Sequence, residues 1–293
     1  MAASHRPYAG GGSLHRSFVL TVVMVLAFVG SSPAPTLAVM LVHLIADYGF
    51  GDLAFAEVCQ RLALHLPGAQ VVTVPVPPFD TLSGGFCVAQ LALTEGPRDR
   101  LVYVNVAPRG DEPDPREGNE GERMVAALLR NGVRVVGPNA LHTFSFVAPH
   151  AETLHEVTVP ATGSQFRSRD AFPPLVARLA AGDDSVLGDP VTAAAIPPVP
   201  ERAVVYVDGY GNLKTSWTEP PAPDGTRVKI TVGGSPAFAT VSDGTFEVPE
   251  GELAFAPGSS GWDRRYYELF LRGASAAERL GGTRAGAVVD VEA

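Results

Sequence analysis

Apolar strand-like runs alternate with helical stretches in the first two-thirds of the chain, and this alternation constrains the fold most strongly. The predicted strands are residues 40–45, 70–76, 101–106 and 133–136. The predicted helices are residues 53–66, 84–93, 124–131 and 171–181. Strands that alternate with helices at this spacing favour a parallel sheet with helices on its faces. We therefore predict an α/β N-terminal domain with a mainly parallel sheet, over residues 40–195.

The character of the sequence changes after a proline-rich stretch. Residues 196–200 have the sequence IPPVP, which is typical of a stiff linker, and we assign residues 196–202 to it. Beyond it the predicted strands are short and separated by Gly, Pro and Asp turns: residues 204–207, 227–232, 237–241, 251–256 and 287–291. Several short strands with little helix favour a small barrel or sandwich. Residues 203–293 are thus predicted to form a small all-β barrel-like C-terminal domain.

The first 39 residues have the pattern of a signal peptide. Arg6 and Arg16 precede an apolar run over residues 18–29, and a small-x-small site ends at Ala38. The run is shorter than the roughly 20 residues of a membrane-spanning helix, so no stable membrane span is predicted. Alternatively, Met40 is the true start, because the first predicted strand begins there. The first alternative predicts export and the second a cytoplasmic protein.

Charge and cysteine content exclude two classes of function. The net charge is −9 and no run of five basic residues occurs, whereas nucleic-acid binding normally requires a basic stripe. Cys59 and Cys87 are the two cysteines, neither lies in a CxxC pair, and the histidines lack the spacing of metal ligands. We therefore predict no nucleic-acid partner, no metal and two free thiols.

Several motifs, in order along the chain, carry a resemblance to a known family. They are residues 45–49 (IADYG), 138–143 (PNALHT), 165–174 (QFRSRDAFPP), 208–215 (DGYGNLKT), 258–262 (GSSGW) and 272–276 (RGASA). On these motifs residues 40–285 resemble the S-adenosylmethionine (SAM) hydroxide adenosyltransferase family, which also contains the SAM-dependent fluorinases and chlorinases. The family implies a homotrimer that holds SAM as substrate, without a further cofactor, between one subunit's larger domain and its neighbour's barrel.

The resemblance implies a nucleophilic attack on C5′ of the ribose that expels methionine. Water or hydroxide is the nucleophile in one branch of the family, and a halide in the others. The products are methionine and either adenosine or a 5′-substituted adenosine. SAM is made in the cytoplasm, which favours Met40 as the start.

Two carboxylates are the principal candidates for binding SAM. By resemblance, Asp47 accepts hydrogen bonds from the ribose hydroxyls; the alternative is that it caps the helix beginning near Gly51. Asp208 is implied to bind the ammonium group and Asn212 the adenine edge, with an ordinary turn as the alternative. The other implied binding residues are Asp52, Phe79, Asn139, Phe166, Ser168, Ser259, Ser260, Arg272 and Ala274.

The chain departs from the family where the catalytic residues are expected. The hydroxide branch has an Asp and a His at the positions of Ala107 and Arg167, and halogenating members have a Tyr at the first of them. Arg109 or Arg116 is a candidate replacement for a family arginine, and His142 for the missing base. Ser168 matches a position lining the nucleophile pocket, although a serine there is also a favoured helix cap. The catalytic candidates are thus Ser168, Arg167, Arg109 and His142, and the rival hypothesis is a SAM- or adenosine-binding module without turnover.

Overall fold

Seven strands form the first of two sheets. The computed structural model describes residues 39–106, 121–160 and 164–292, so the signal-like segment 1–38, Ala107, Arg109 and Arg116 lie outside the described residues. The strands of this sheet are β1 (Leu41–Ala46), β2 (Gln70–Pro75), β3 (Arg100–Asn105), β4 (Met124–Leu129), β5 (Arg134–Pro138), β6 (Ala151–Val157) and β7 (Leu187–Pro190). Their order is β2-β1-β3-β5-β4-β6-β7.

The prediction of a mainly parallel sheet is wrong, because the sheet is mixed. Strands β2, β1, β3 and β5 pair in parallel, whereas β5, β4, β6 and β7 pair antiparallel. The residues predicted as a helix at 124–131 form β4, which turns into β5 at Asn131-Gly132 with Gly132 at φ +84°. A short, continuously apolar run does not distinguish a buried strand from a helix. The sequence feature that indicates a hairpin here is the Asn131-Gly132 pair, which is typical of the tight turn between two antiparallel strands.

Helices cover both faces of this sheet. They are α1 (Leu53–His65), α2 (Thr81–Leu93), α3 (Arg167–Asp170) and α4 (Phe172–Ala180). Side chains along β1 alternate between the faces: Val42 and Leu44 pack with α1 and α4, whereas Ile45 packs with α2. The sheet is therefore buried between two apolar layers, as the predicted α/β class requires.

A second seven-stranded sheet contains β8 (Val204–Val207), β9 (Leu213–Thr215), β10 (Arg227–Val232), β11 (Ser235–Val241), β12 (Leu253–Gly261), β13 (Arg265–Leu271) and β14 (Val289–Glu292). Its order is β14-β10-β11-β12-β13-β9-β8, and a short helix, α5 (Ala276–Arg279), follows β13. An antiparallel bridge between Ala203 and Val288 connects the two edges. The sheet is thereby curled and barrel-like, which confirms the coarse prediction for this part of the chain.

Helix α2 packs between the two sheets. We call the part of the chain that contains β1–β7 the α/β lobe, and the part that contains β8–β14 the β lobe. Ten of the thirteen residues of α2 are buried, as expected for a helix that is apolar on all sides. Phe86 stacks on Tyr206 of the β lobe at 5.7 Å between ring centroids and contacts Trp262 and Tyr266. The side chain of Gln90 accepts a hydrogen bond from the Gly261 backbone at 2.9 Å. One apolar cluster thus spans both lobes, whereas each lobe also has a cluster of its own, and Ala38–Ala293 forms one compact unit.

Candidate functional site

Asp47 directly follows β1 at the carboxyl edge of the parallel strands, where open α/β sheets bind ligands. Its Oδ2 accepts a hydrogen bond from the Phe79 backbone N–H at 2.9 Å. Phe79 has φ +63°, which is strained for a residue other than glycine, and the residue is 58% exposed. The carboxylate therefore holds an exposed aromatic side chain beside the edge of the sheet. Both residues belong to the predicted binding set.

The alternative role of Asp47 as a helix cap is wrong, because Asp52 has that role. Oδ1 of Asp52 accepts the Ala54 backbone N–H at 2.8 Å at the start of α1. Asp80 caps α2 in the same way, accepting from Ser83. Asp52 was also in the predicted binding set, and the structure places it at an exposed helix terminus.

Ser168 lies in a buried polar contact with two tyrosines. The Tyr48 hydroxyl donates to Ser168 Oγ at 2.7 Å, and the Tyr103 hydroxyl donates to the Ser168 carbonyl at 3.0 Å. Burial raises the pKa of Tyr48, so this phenol remains a donor at neutral pH. Phe166 packs edge-on against Tyr48 and is the N-cap residue of α3, so the alternative of a serine cap at Ser168 is wrong.

Arg167 lies beside Gly121, and the residue after Gly121 is a buried acid that the sequence did not predict as part of the site. Its guanidinium lies 5.1 Å from the Phe172 ring centroid and closely approaches Gly121, where an added Cβ would be 2.8 Å from Nη1. The next residue, Glu122, is 7% exposed and precedes β4 at the carboxyl edge of the sheet. The available signal was an acidic residue immediately before a buried apolar run. It was missed because that run was predicted to be a helix.

Two further predicted residues follow β5 at this edge. The Asn139 backbone N–H donates to the Arg123 carbonyl at 2.8 Å. His142 lies over the first turns of α2: its backbone N–H is 3.5 Å from the Thr81 hydroxyl. Its carbonyl oxygen occupies the space that a Cβ at Gly85 would need. Burial lowers the pKa of His142.

In the β lobe, Asp208 and Asn212 form a closed turn. Asp208 Oδ1 accepts the backbone N–H groups of Tyr210 at 2.9 Å and Asn212 at 3.0 Å, and Oδ2 accepts from Asn212 Nδ2 at 3.0 Å. These bonds match the predicted alternative of an ordinary Asp/Gly/Asn turn. A carboxylate has about four acceptor positions, so the three bonds leave capacity for a further donor.

A buried ion pair beneath this turn was also missed from sequence. Lys214 Nζ lies 2.8 Å from Glu268 Oε1 and 3.8 Å from Asp208 Oδ2. Lys214 is 8% and Glu268 is 1% exposed. A Cβ at Gly258 would overlap the Glu268 carboxylate, so a glycine is needed where the 258–262 motif begins. The motif's two serines differ, since Ser259 is exposed and Ser260 is buried.

The structure brings the 208–215 and 272–276 motifs together. A Cβ at Gly211 would overlap the Ser275 side chain, and the Gly211 carbonyl accepts the Ala277 N–H at 2.9 Å. Within the second motif, Ala274 is exposed. Arg272 donates to the Val248 carbonyl at 2.7 Å, which is a structural contact with the preceding turn.

Helix α2 runs between the residues of the two lobes. Its N-terminal side lies beside the Phe79–Asp47 bond and His142. Further along, Cys87 is buried, which raises the pKa of its thiol to about 12, and it is under the electrostatic influence of Asp80 and Lys214.

Within the described ranges, no group of three or more His, Cys, Asp or Glu side chains has a metal-binding arrangement. Of the described helices, none has the length and apolar character required to cross a bilayer.

These features define a class: a two-lobe protein with a mixed α/β sheet and a curled β sheet. Two solved structures share this fold. A Thermotoga maritima protein titled "uncharacterized conserved protein" has a TM-score of 0.69 and 19% identity, and a Thermus thermophilus protein titled "conserved hypothetical protein" has a TM-score of 0.63 and 26% identity. Each match covers 86% of this chain and 100% of the other. No family model and no curated protein matches the chain.

Proposed function

We propose that this protein binds SAM between an α/β lobe and a β lobe and cleaves it at the ribose C5′. The observation that carries the proposal is the placement of two motif-matched aspartate turns. Asp47 lies at the ligand-binding edge of the first sheet, and Asp208 lies in the β-lobe turn packed against the 272–276 motif. In the proposed homotrimer, each site combines the α/β lobe of one subunit with the β lobe of the next.

The Asp47 region suits a ribose and a reacting carbon. A carboxylate oxygen takes hydroxyl hydrogen bonds readily. Phe79, exposed and held beside Asp47, offers a ring face for the ligand. The Ser168 hydroxyl, already accepting from Tyr48, has its own proton available to orient a water or another nucleophile. The 166–168 region would then lie along the path of attack.

The Asp208 region suits the ammonium group of the methionine part. Lys214 is neutralised by its close pair with Glu268, so the three-residue cluster with Asp208 retains one net negative charge. A cationic ligand group is favoured beside such a cluster. The peptide groups and hydroxyls of Ser259 and Ser260 are the proposed partners of the methionine carboxylate. Asn212 would contribute to adenine recognition.

Water or hydroxide is the proposed nucleophile. A sulfonium is a good leaving group, so holding a water in line with C5′ already contributes to the rate. Arg167 near the site would favour an anion, which makes a halide the alternative nucleophile. The products are methionine together with adenosine or a 5′-substituted adenosine.

The second candidate function is a SAM- or adenosine-binding module without turnover. It is favoured by Ala107 and Arg167, which stand where the family has an acid and an imidazole. Loss of a positioned base typically lowers a rate by about 10²–10⁴-fold.

The test is to incubate the full chain with SAM and follow adenosine and methionine by chromatography, with calorimetry of SAM binding in parallel. Both products above the uncatalysed rate are expected. Binding without product selects the module, and the absence of binding and product refutes both proposals. Light scattering tests the trimer.

A further inference from the structure

The hydrogen bonds of Ser145 determine which nitrogen of His142 carries a proton. Ser145 Oγ lies 2.6 Å from the Pro197 carbonyl oxygen and 3.1 Å from His142 Nδ1. A carbonyl oxygen accepts and never donates, so the single hydroxyl proton of Ser145 points to Pro197. The serine therefore presents lone pairs to His142, and Nδ1 must be the donor. In neutral His142 the lone pair is then on Nε2.

The surroundings of His142 favour the neutral ring. Burial lowers the pKa of this histidine. Its hydrogen-bond partners, the Thr81 and Ser145 hydroxyls, are uncharged, as is the Gly85 backbone beside its carbonyl. Asp80, the N-cap residue of α2 next to Thr81, is engaged with Ser83 through both carboxylate oxygens. A neutral imidazole with one nitrogen already donating is a suitable proton acceptor at the other nitrogen.

The backbone of His142 is connected to the proposed ribose site. It follows β5 at the same sheet edge as Asp47, and a short series of contacts joins the two residues. Asp47 accepts from Phe79, the Phe79 carbonyl accepts from Thr81, and Thr81 contacts the His142 backbone. Two residues, Phe79 and Thr81, thus connect His142 to the carboxylate proposed to hold the ribose.

We propose that His142 is the general base for the water that attacks SAM, with Nε2 as the accepting atom and Ser145 and the Pro197 carbonyl as the groups that fix its tautomer. This inference rests on the proposed SAM cleavage. It supplies the base that Ala107 and Arg167 do not provide.

The step balances with water as the single co-reactant. The water oxygen forms a bond to C5′ as the C5′–sulfur bond breaks, and that electron pair leaves on sulfur to give neutral thioether methionine. The water proton passes to His142 Nε2 and then to solvent. SAM and water therefore give adenosine, methionine and one proton, without an oxidant or a reductant. Pro197 lies in the predicted linker, so the same bond also connects the base to the segment between the lobes.

The test compares wild type, His142→Ala and Ser145→Ala in the full chain. His142→Ala is expected to lower adenosine formation by about 10²–10⁴-fold, with SAM affinity retained and activity partly restored by added imidazole. Ser145→Ala is expected to shift His142 toward the Nε2–H tautomer in two-bond ¹H–¹⁵N spectra and to lower the rate. A merely structural role for Ser145 would not move the tautomer signal.

His155→Ala is the matched control, because His155 Nδ1 also contacts a polar oxygen, the Gly188 carbonyl at 3.2 Å, but lies within β6. If His142→Ala cleaves SAM as fast as wild type, the base assignment is overturned and the proposed SAM cleavage stands. A wild-type His142 protonated at Nε2 also overturns it. Wild type that binds SAM without turnover overturns the base and the cleavage but not the binding.

Discussion

The buried pair of Lys214 and Glu268 gives a quantitative prediction about what holds the β lobe together. Lys214 is 8% and Glu268 is 1% exposed, and their charged atoms are 2.8 Å apart. Removing one partner leaves an uncompensated buried charge, which costs about 3–5 kcal/mol. We expect Lys214→Met to lower the free energy of unfolding by about that amount, because it leaves the Glu268 carboxylate buried without its cation. Glu268→Met should cost less, because Asp208 Oδ2 still lies 3.8 Å from Lys214 Nζ.

The double variant separates the interaction from the cost of burying it. Replacing both partners by apolar residues of similar size removes the stranded charge, and such replacements are often neutral or stabilising by about 1–4 kcal/mol. We therefore expect Lys214→Met combined with Glu268→Met to be more stable than either single variant. A double variant whose loss equals the sum of the single losses would contradict the pairing.

The chain offers a matched control at Lys229 and Glu292. This pair has the same residue types and a separation of 2.9 Å, but its side chains are 46% and 68% exposed. Exposed pairs contribute about 0–1 kcal/mol, so Lys229→Met is expected to change stability little. The assay is urea-induced unfolding followed by tryptophan fluorescence. Equal losses from Lys214→Met and Lys229→Met would refute the reasoning that burial determines the cost.

Two further predictions concern the glycines of α2 and Tyr206, which stacks on Phe86 of that helix. Gly85→Ala is expected to destabilise the protein by about 1–3 kcal/mol in urea unfolding, because its Cβ would overlap the His142 carbonyl, whereas Gly84→Ala meets a Val106 methyl group at 3.0 Å and should cost less. Equal costs would contradict this packing. Burial raises the pKa of Tyr206 to about 12 from its ordinary 10.0. The contribution of the neutral phenol to the free energy of unfolding is therefore fully present below pH 10 and is lost as the pH rises toward 12. Tyr206→Phe should therefore weaken the alkaline fall in the urea midpoint, and an unchanged fall would contradict the assignment.

Local patterns in the sequence predicted most of the fold. Strands β8 and β10 begin and end at the predicted residues, and the predicted helix at 53–66 is observed as Leu53–His65. These elements have a clear period and flanking turn residues. The error at β4 arose because Met124–Leu129 is apolar throughout, and tertiary pairing with β5 decides its conformation.

The candidate site could be predicted only in part, for a physical reason. Asp47 and Asp208 follow strands directly, so a local pattern locates them. Glu122 is distinguished by its burial, and Lys214 and Glu268 are distinguished by burial and by a pairing across 54 residues of sequence. No local period marks such residues. The tautomer of His142 likewise depends on Pro197, beyond the reach of any local motif.

Calorimetric titration of SAM into wild type, Asp47→Asn and Asp208→Asn tests the central proposal most directly. Asparagine retains an acceptor for the Phe79 N–H and for the backbone N–H groups of Tyr210 and Asn212, so these bonds can persist when the charge is removed. The bond from Asn212 Nδ2 to the second oxygen of Asp208 is lost with the carboxylate. A charge-assisted hydrogen bond contributes about 1.5–3 kcal/mol, so each substitution should weaken binding by roughly 10- to 150-fold. Wild type that releases no heat with SAM, or variants that bind as tightly as wild type, would contradict the account.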